Sequence, residues 1–268
     1  MELQELMTPD PERVRVDYLL AEAGRRMVQL GIRHLPVVDD EGRLVGLLSD
    51  FDVFRRGAFL DGAYADGDNG WIAYEKADDD ATCGDAMVAA EVTLNPELAA
   101  EAALQALHRS EQDALVVVDG RFHPIGVLSE HDALAVALEQ VDPTRSASAI
   151  ASSPVESLEA SELAIVAFGR LKDHDIRHLV VTEGGDLFGV VSLRDLVADD
   201  VPRRPGLLLR DVLRSTSPVR AEPDTPLVDV IATMKRHKHG CMPIVDASNR
   251  PVGIITRRDV IGLILVPG

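Results

Sequence analysis

Gly253-Ile-Ile-Thr-Arg-Arg-Asp259 is the stretch on which the reading of this chain turns, because three earlier stretches share its grammar. Gly46-Leu-Leu-Ser-Asp-Phe-Asp52, Gly126-Val-Leu-Ser-Glu-His-Asp132 and Gly189-Val-Val-Ser-Leu-Arg-Asp195 all run glycine, two apolar residues, a hydroxyl, two variable positions, aspartate. Each follows an apolar run of strand character: His34-Leu-Pro-Val-Val, Ala114-Leu-Val-Val-Val, His178-Leu-Val-Val and Cys241-Met-Pro-Ile-Val. The glycines are spaced by 80, 63 and 64 residues. A recurring period of this kind is the signature of a repeat architecture, so the chain is one unit written four times.

Working outward from the first copy, Leu20, Ala23, Met27 and Leu30 fall on one helix face, and Gly31 is placed to end that helix. Strands over 34–39 and 43–48, joined by a turn through Asp40, Glu41 and Gly42, predict a hairpin, and a second helix starts near Ser49. The order is strand, helix, strand, strand, helix. In the second and fourth copies Asn95-Pro96 and Thr225-Pro226 predict an N-cap followed by proline at the first helical position. Leu163, Val166, Ala167 and Leu171, and later Leu227, Val230, Ile231 and Met234, supply the matching buried faces. The repeats are thus placed at 1–57, 82–140, 146–200 and 207–268. Residues 58–81 form an acidic, Gly/Asp-rich insertion, expected as a surface loop held to the body by Trp71 and Tyr74. It is no EF-hand: counted from Asp66, the fifth position is Gly70, the sixth Trp71 and the twelfth Ala77.

Composition narrows the function. A formal net charge of −18 argues against general binding to nucleic acid or to an anionic membrane, both of which need a basic face. No apolar run approaches a membrane span, and Met1-Glu-Leu-Gln-Glu-Leu6 lacks the pattern of a signal peptide, so a cytoplasmic location is expected. Cys83 and Cys241 lie in non-equivalent parts of their repeats and read as ordinary small residues. Four lysines against abundant arginine and aspartate suggest a salt-adapted cytoplasm, and a GC-rich genome explains the arginine part equally well.

Four units with a His/Cys-x-Pro-Val-like strand and Gly-h-h-Ser/Thr-x-x-Asp resemble CBS domains, named after cystathionine beta-synthase. The resemblance covers nearly the whole chain outside the insertion. It implies an α+β fold, two-layered, with β-α-β-β-α repeats paired into two Bateman modules, each with two clefts. It also implies a regulatory ligand, AMP, ADP, ATP or S-adenosylmethionine, whose occupancy acts on an attached or partner protein, and it leaves room for a homodimer. Carried over, Asp52, Asp132, Asp195 and Asp259 match the aspartate that grips the ribose hydroxyls, and Ser49, Ser129, Ser192 and Thr256 the hydroxyl at the phosphate end. By position in the repeat, Val155, Val219 and Pro243 are candidates for the adenine slot.

The chemistry of these residue types is compatible with that assignment. A carboxylate offers two acceptors to vicinal hydroxyls, and a hydroxyl beside the free amides of a helix start suits a phosphate. The same Ser/Thr-x-x-Asp pattern is also a capping box, which would recur wherever a repeat starts a helix. The intervening residues separate the halves: Asp50-Phe51 and Glu130-His131 repel a polyphosphate, whereas Leu193-Arg194 and Arg257-Arg258 attract it. The main nucleotide module is therefore expected in 146–268, with Arg177 and His178, and Arg33 and His34, as further phosphate candidates. Asp113-Ala114 offers no such donor, so the second repeat is expected to have lost binding.

Three functions compete: a non-catalytic adenine-nucleotide sensor, a metal-binding regulator using His237, His239 and Cys241, and an interaction scaffold with degenerate clefts. The histidines and cysteine do not complete a tetrahedral site, so no metal is expected. No Walker loop, Gly-x-Ser-x-Gly elbow or His-Glu-x-x-His is present, so no catalytic residue is assigned and no enzyme is expected.

Overall fold

The computed structural model describes residues 1–56, 62–66, 71–75, 80–110, 112–199, 201, 204, 206–213 and 218–265. The first repeat runs α1 (Leu3–Leu6), β1 (Thr8–Pro9), β2 (Val14–Arg15), α2 (Leu20–Leu30), β3 (His34–Val38), β4 (Leu44–Ser49) and α3 (Asp50–Arg55). After β5 (Gly62–Asp66) and β6 (Trp71–Glu75), the second runs α4 (Cys83–Ala86), β7 (Val88–Ala89), β8 (Thr93–Leu94), α5 (Ala100–Arg109), β9 (Ala114–Val118), β10 (Pro124–Ser129) and α6 (Glu130–Gln140). The third has a 3₁₀ turn (Ala147–Ala149), β11 (Ser157–Glu159), α7 (Ala164–Asp173), β12 (His178–Glu183), β13 (Asp186–Ser192) and α8 (Leu193–Ala198). The fourth has α9 (Leu209–Val212), α10 (Leu227–His237), β14 (Cys241–Val245), β15 (Pro251–Thr256) and α11 (Arg257–Leu265). Among the described residues, no helix is long and apolar enough to cross a membrane.

Contacts divide the chain into one unit of residues 1–59 and 77–133 and another of 60–76 and 134–268. In the first unit the two sheets exchange their outermost strands. One sheet is ordered β2-β3-β4-β7 and the other β1-β10-β9-β8, so the lead of each repeat finishes the sheet of its neighbour. The repeated glycine explains why the exchange fits. A Cβ on Gly46 would fall 2.4 Å from Met87 Sδ and 2.9 Å from the Val88 carbonyl oxygen. On Gly126 it would fall 2.2 Å from Met7 Sδ. In the second unit the lead at Ala151 and Ser152 crosses onto Gly253 and Ile254 in the same way, and Leu213 packs on Gly189. The glycine of the motif is thus the seat of a crossing strand, and pairing of consecutive repeats is written into it.

Burial follows the period read from the sequence except at Leu30, which ends α2 49% exposed. Leu20, Ala23 and Met27 of α2 close on Leu35, Val37 and Leu48 of the hairpin. Leu227, Val230, Ile231 and Met234 of α10 do so on Met242, Ile244 and Ile255. Gly31 ends α2 in the left-handed conformation (φ 65°), its N–H turned to the Met27 and Val28 carbonyls.

Local chemistry departs from expectation in three places. Asn95 does not cap α5. Its Oδ1 accepts the Glu97 N–H (2.9 Å) in a separate turn, and the helix begins at Ala100. Thr225 likewise accepts the Glu222 N–H (2.9 Å), which leaves Pro226 as the cap of α10. Asn and Thr here close turns of their own in competition with the helix. The insertion, expected as a loop, contains the β5–β6 hairpin, which groups with the second unit and lies along α7. The acids of the segment obscure a short aromatic and β-branched alternation, Trp71-Ile72-Ala73-Tyr74, that follows a run of Gly and Asp. Asp61, residues 67–70, and Asp78 and Asp79 lie outside the described residues, as do the side chains of Trp71 and Tyr74.

Both cysteines are buried and neither is in a disulfide. Burial pushes the Cys83 thiol up to about 11. A group whose folded pKa is raised favours the fold while protonated, so its contribution is intact below the ordinary thiol range and is lost as pH climbs toward 11. Urea unfolding should therefore weaken across that alkaline window in the wild type, and weaken less in Cys83→Ala.

Candidate functional site

In all four repeats the motif hydroxyl ends the hairpin and its aspartate sits in the first turn of the next helix. One carboxylate oxygen collects both donors of the hydroxyl residue. Asp52 Oδ2 accepts from Ser49 N (2.8 Å) and Oγ (2.6 Å), and Asp132 Oδ2 from Ser129 N (2.7 Å) and Oγ (2.8 Å). Asp195 Oδ2 accepts from Ser192 N (2.8 Å) and Oγ (2.6 Å), and Asp259 Oδ2 from Thr256 N (2.7 Å) and Oγ1 (2.6 Å). In return the Ser49 hydroxyl accepts the Asp52 N–H at 3.1 Å. The carboxylate half of the capping box is therefore made at every copy.

This arrangement changes what the residues offer. A hydroxyl has one proton, and in Ser49, Ser192 and Thr256 it is given to the aspartate, so a phosphate would have to open the box to receive it. Ser49→Ala should cost about 1 kcal/mol of stability through the lost cap, with Asp52 still holding the backbone amide, as chemical denaturation can measure.

At Asp259 the second carboxylate oxygen is engaged by another repeat: Ser152 Oγ donates to Oδ1 at 3.2 Å. Ser152 belongs to the lead that crosses from the third repeat onto β15. A hydroxyl and a carboxylate oxygen from two repeats thus face one another. Sequence reasoning passed over Ser152. The signal was available in the leads, where Met7-Thr8, Met87-Val88 and Ala151-Ser152 occupy equivalent places.

The basic candidates separate. Arg257 is buried (8% exposed), and its Nε and Nη2 donate to the carbonyls of His239 (3.2 Å) and Lys238 (2.9 Å). It braces the start of α11 against the α10–β14 turn. Arg194 and Arg258, one residue before Asp195 and Asp259, are half-buried. His34 and His178 are the cross-strand partners of Ser49 and Ser192, each beside its own box, with Arg33 and Arg177 immediately before them. His178 also reaches the fourth repeat: a Cβ on Gly240 would fall 2.2 Å from its Nε2.

Of the adenine candidates, Val155 is half-buried against Val180, Leu187 and Val190 of its own repeat and Val245 and Ile254 of the next. Pro243 is buried in β14, whereas Val219 is 40% exposed and lies outside that cluster. A cavity of about 270 Å³ is lined by Ala137, Gln140, Val141, Asp142, Arg145, Leu263 and Ile264, at the far ends of α6 and α11 from the aspartates. None of the candidate residues lines it.

His237 and His239 stack with ring centroids 5.6 Å apart, and burial, then His237, then Arg257 hold the His239 imidazole below its usual pKa. Cys241 is buried in β14, and among the described residues no group of three or more His, Cys, Asp or Glu is disposed to hold a metal ion.

Charge is divided unevenly. Residues 1–133 carry a formal net charge of −16 and residues 134–268 only −2.

The CBS domain pattern matches residues 3–58, 83–139, 147–200 and 209–266. A 33.4 kDa Thermofilum pendens protein of the ribosomal RNA operon is 27% identical over 271 residues, covering 94% of this chain and 85% of that protein. A homoserine O-acetyltransferase from Methanococcoides burtonii is 38% identical over 93 residues, which span 33% of this chain and only 18% of that enzyme. In structure, a Methanocaldococcus jannaschii protein described as a candidate archaeal homologue of g-AMPK superposes with a TM-score of 0.80 at 16% identity, covering 98% of this chain and 99% of that one. At that identity the likeness is one of fold.

Proposed function

Because the chain belongs to the CBS domain family, in four copies that fill most of its length, we propose that it is a non-catalytic sensor of adenine nucleotide. It binds AMP, ADP or ATP in clefts between paired repeats, principally in the C-terminal pair, and passes occupancy to a partner protein. The observation that carries this reading is the Ser152–Asp259 contact at 3.2 Å. It places an acceptor and a hydroxyl from two repeats where a vicinal diol can take both.

The surroundings support an anion at the same end. Arg258 adjoins Asp259, and the C-terminal half carries almost none of the acidic excess. The sugar is held by Asp259 Oδ1 and the phosphate by Arg258; in the third repeat Asp195 and Arg194 do the same, joined by Arg177 and His178. Val155 and Pro243 flank the base. Guanidinium–phosphate bonds are charge-assisted and bidentate, so phosphorylation of the ligand matters at these two clefts.

A thermal-shift panel with AMP, ADP, ATP, S-adenosylmethionine, NAD and zinc tests the reading. An adenine compound at a hundred times its dissociation constant should stabilise the chain by about 2.7 kcal/mol. A shift with zinc alone would favour a metal-dependent regulator, and the absence of any shift a scaffold.

A further inference from the structure

We propose that the cavity at the far ends of α6 and α11 binds a small apolar α-amino acid, its carboxylate on Arg145 and its ammonium group on Asp142. This is a second input to the protein, separate from the nucleotide clefts, and it stands whether or not those clefts bind nucleotide.

The walls are fixed by backbone bonds. Past the end of α6, the Val141 N–H donates to the Ala137 carbonyl (2.8 Å). The chain then turns: the Arg145 N–H donates to the Asp142 carbonyl (3.0 Å), and the Arg145 carbonyl accepts the Leu227 N–H (2.9 Å) at the start of α10. Residues 141–145 are thereby fastened to the fourth repeat, and with the end of α11 they bound about 270 Å³. That is small beside the roughly 300–1,000 Å³ of pockets that take drug-sized ligands, so the occupant is small too. Ala137, Val141, Leu263 and Ile264 line it with apolar surface continuous with the core of the fourth repeat.

The polar groups of the cavity are of both signs. Asp142 Oδ1 takes two donors from Thr144, the N–H (2.8 Å) and the Oγ1 hydroxyl (2.7 Å), and these bonds hold the carboxyl below the usual carboxylate range. Its Oδ2 accepts no hydrogen bond among the described residues. The half-buried Arg145 guanidinium donates none among the described residues either, although it attracts Asp142. α6 carries no basic residue in its last turn, so its carbonyl end adds to the negative side. A fatty acid would engage only the guanidinium, and an alkylamine only the carboxylate and the helix end. A zwitterion with an apolar side chain engages all of them: the guanidinium fork matches a carboxylate, and Oδ2 accepts from an ammonium group.

The test is calorimetric titration of the full chain with L-leucine, and with isocaproate, isoamylamine and glycine, each of which lacks one of leucine's three features. Leucine should bind with a stoichiometry of one, and each of the others should bind more weakly by about tenfold or more. Arg145→Gln and Asp142→Asn each remove a charge-assisted hydrogen bond and should weaken leucine by a similar factor, with the unliganded melting temperature unchanged. Val141→Phe, which fills the cavity from a half-buried position, should abolish binding. Asp259→Asn should leave leucine binding as it is, so the nucleotide reading and this one fail independently. No leucine binding to the wild type, binding indifferent to both Arg145→Gln and Asp142→Asn, or isocaproate or isoamylamine bound as tightly as leucine would overturn the proposal.

Discussion

Gly46→Val should destabilise the N-terminal pair by about 3 kcal/mol, the upper range for overpacking a filled site. The new Cβ alone would meet Met87 Sδ at 2.4 Å, Met87 Cγ at 2.8 Å and the Val88 carbonyl oxygen at 2.9 Å. A thioether can swing aside, but the carbonyl belongs to the β4–β7 ladder, where Gly46 pairs with Ala89 and Leu47 with Val88. Relief therefore requires the crossing strand to leave, and the first sheet loses its edge. Gly120→Ala is the control, since nothing lies within 4 Å of a Cβ there. Urea denaturation should separate the two variants clearly. A Gly46→Val protein as stable as wild type would mean that the lead of the second repeat does not cross where the pairing places it.

Asp259→Asn combined with Asp195→Asn should abolish the ligand-dependent stabilisation of about 2.7 kcal/mol expected at a hundred times the dissociation constant. An amide still offers one acceptor to the cap, so the unliganded protein should lose less than the liganded one. The remaining charge effect can be read from salt. Guanidinium–phosphate attraction at half-buried arginines is screened as ionic strength rises, so the AMP shift of the wild type should shrink with added salt while an adenosine shift holds. An AMP shift that survives both substitutions would remove the sugar role from these carboxylates.

The fold was legible because its period is carried by residues with strong physical requirements. The motif glycine, the apolar strand and the hydroxyl–aspartate box recur together, and each has a local cause. What the residues could not convey was contact across repeats. Ser152 is an ordinary serine in a Ser-Ser-Pro stretch until the lead is seen to cross onto Ile254. Arg257 and Arg258 are adjacent and chemically alike. Only the turn at Lys238 and His239 distinguishes the brace from its neighbour. Asn95 and Thr225 misplace two helix starts because side chains that cap helices also close turns.

A crystal structure of the full chain grown with AMP tests the central claim most directly. The account predicts density in the C-terminal pair with the ribose hydroxyls on Asp259 Oδ1 and Ser152 Oγ and the phosphate turned toward Arg258. AMP seated with its sugar away from both residues, or found only in the half that carries Glu130, would contradict it.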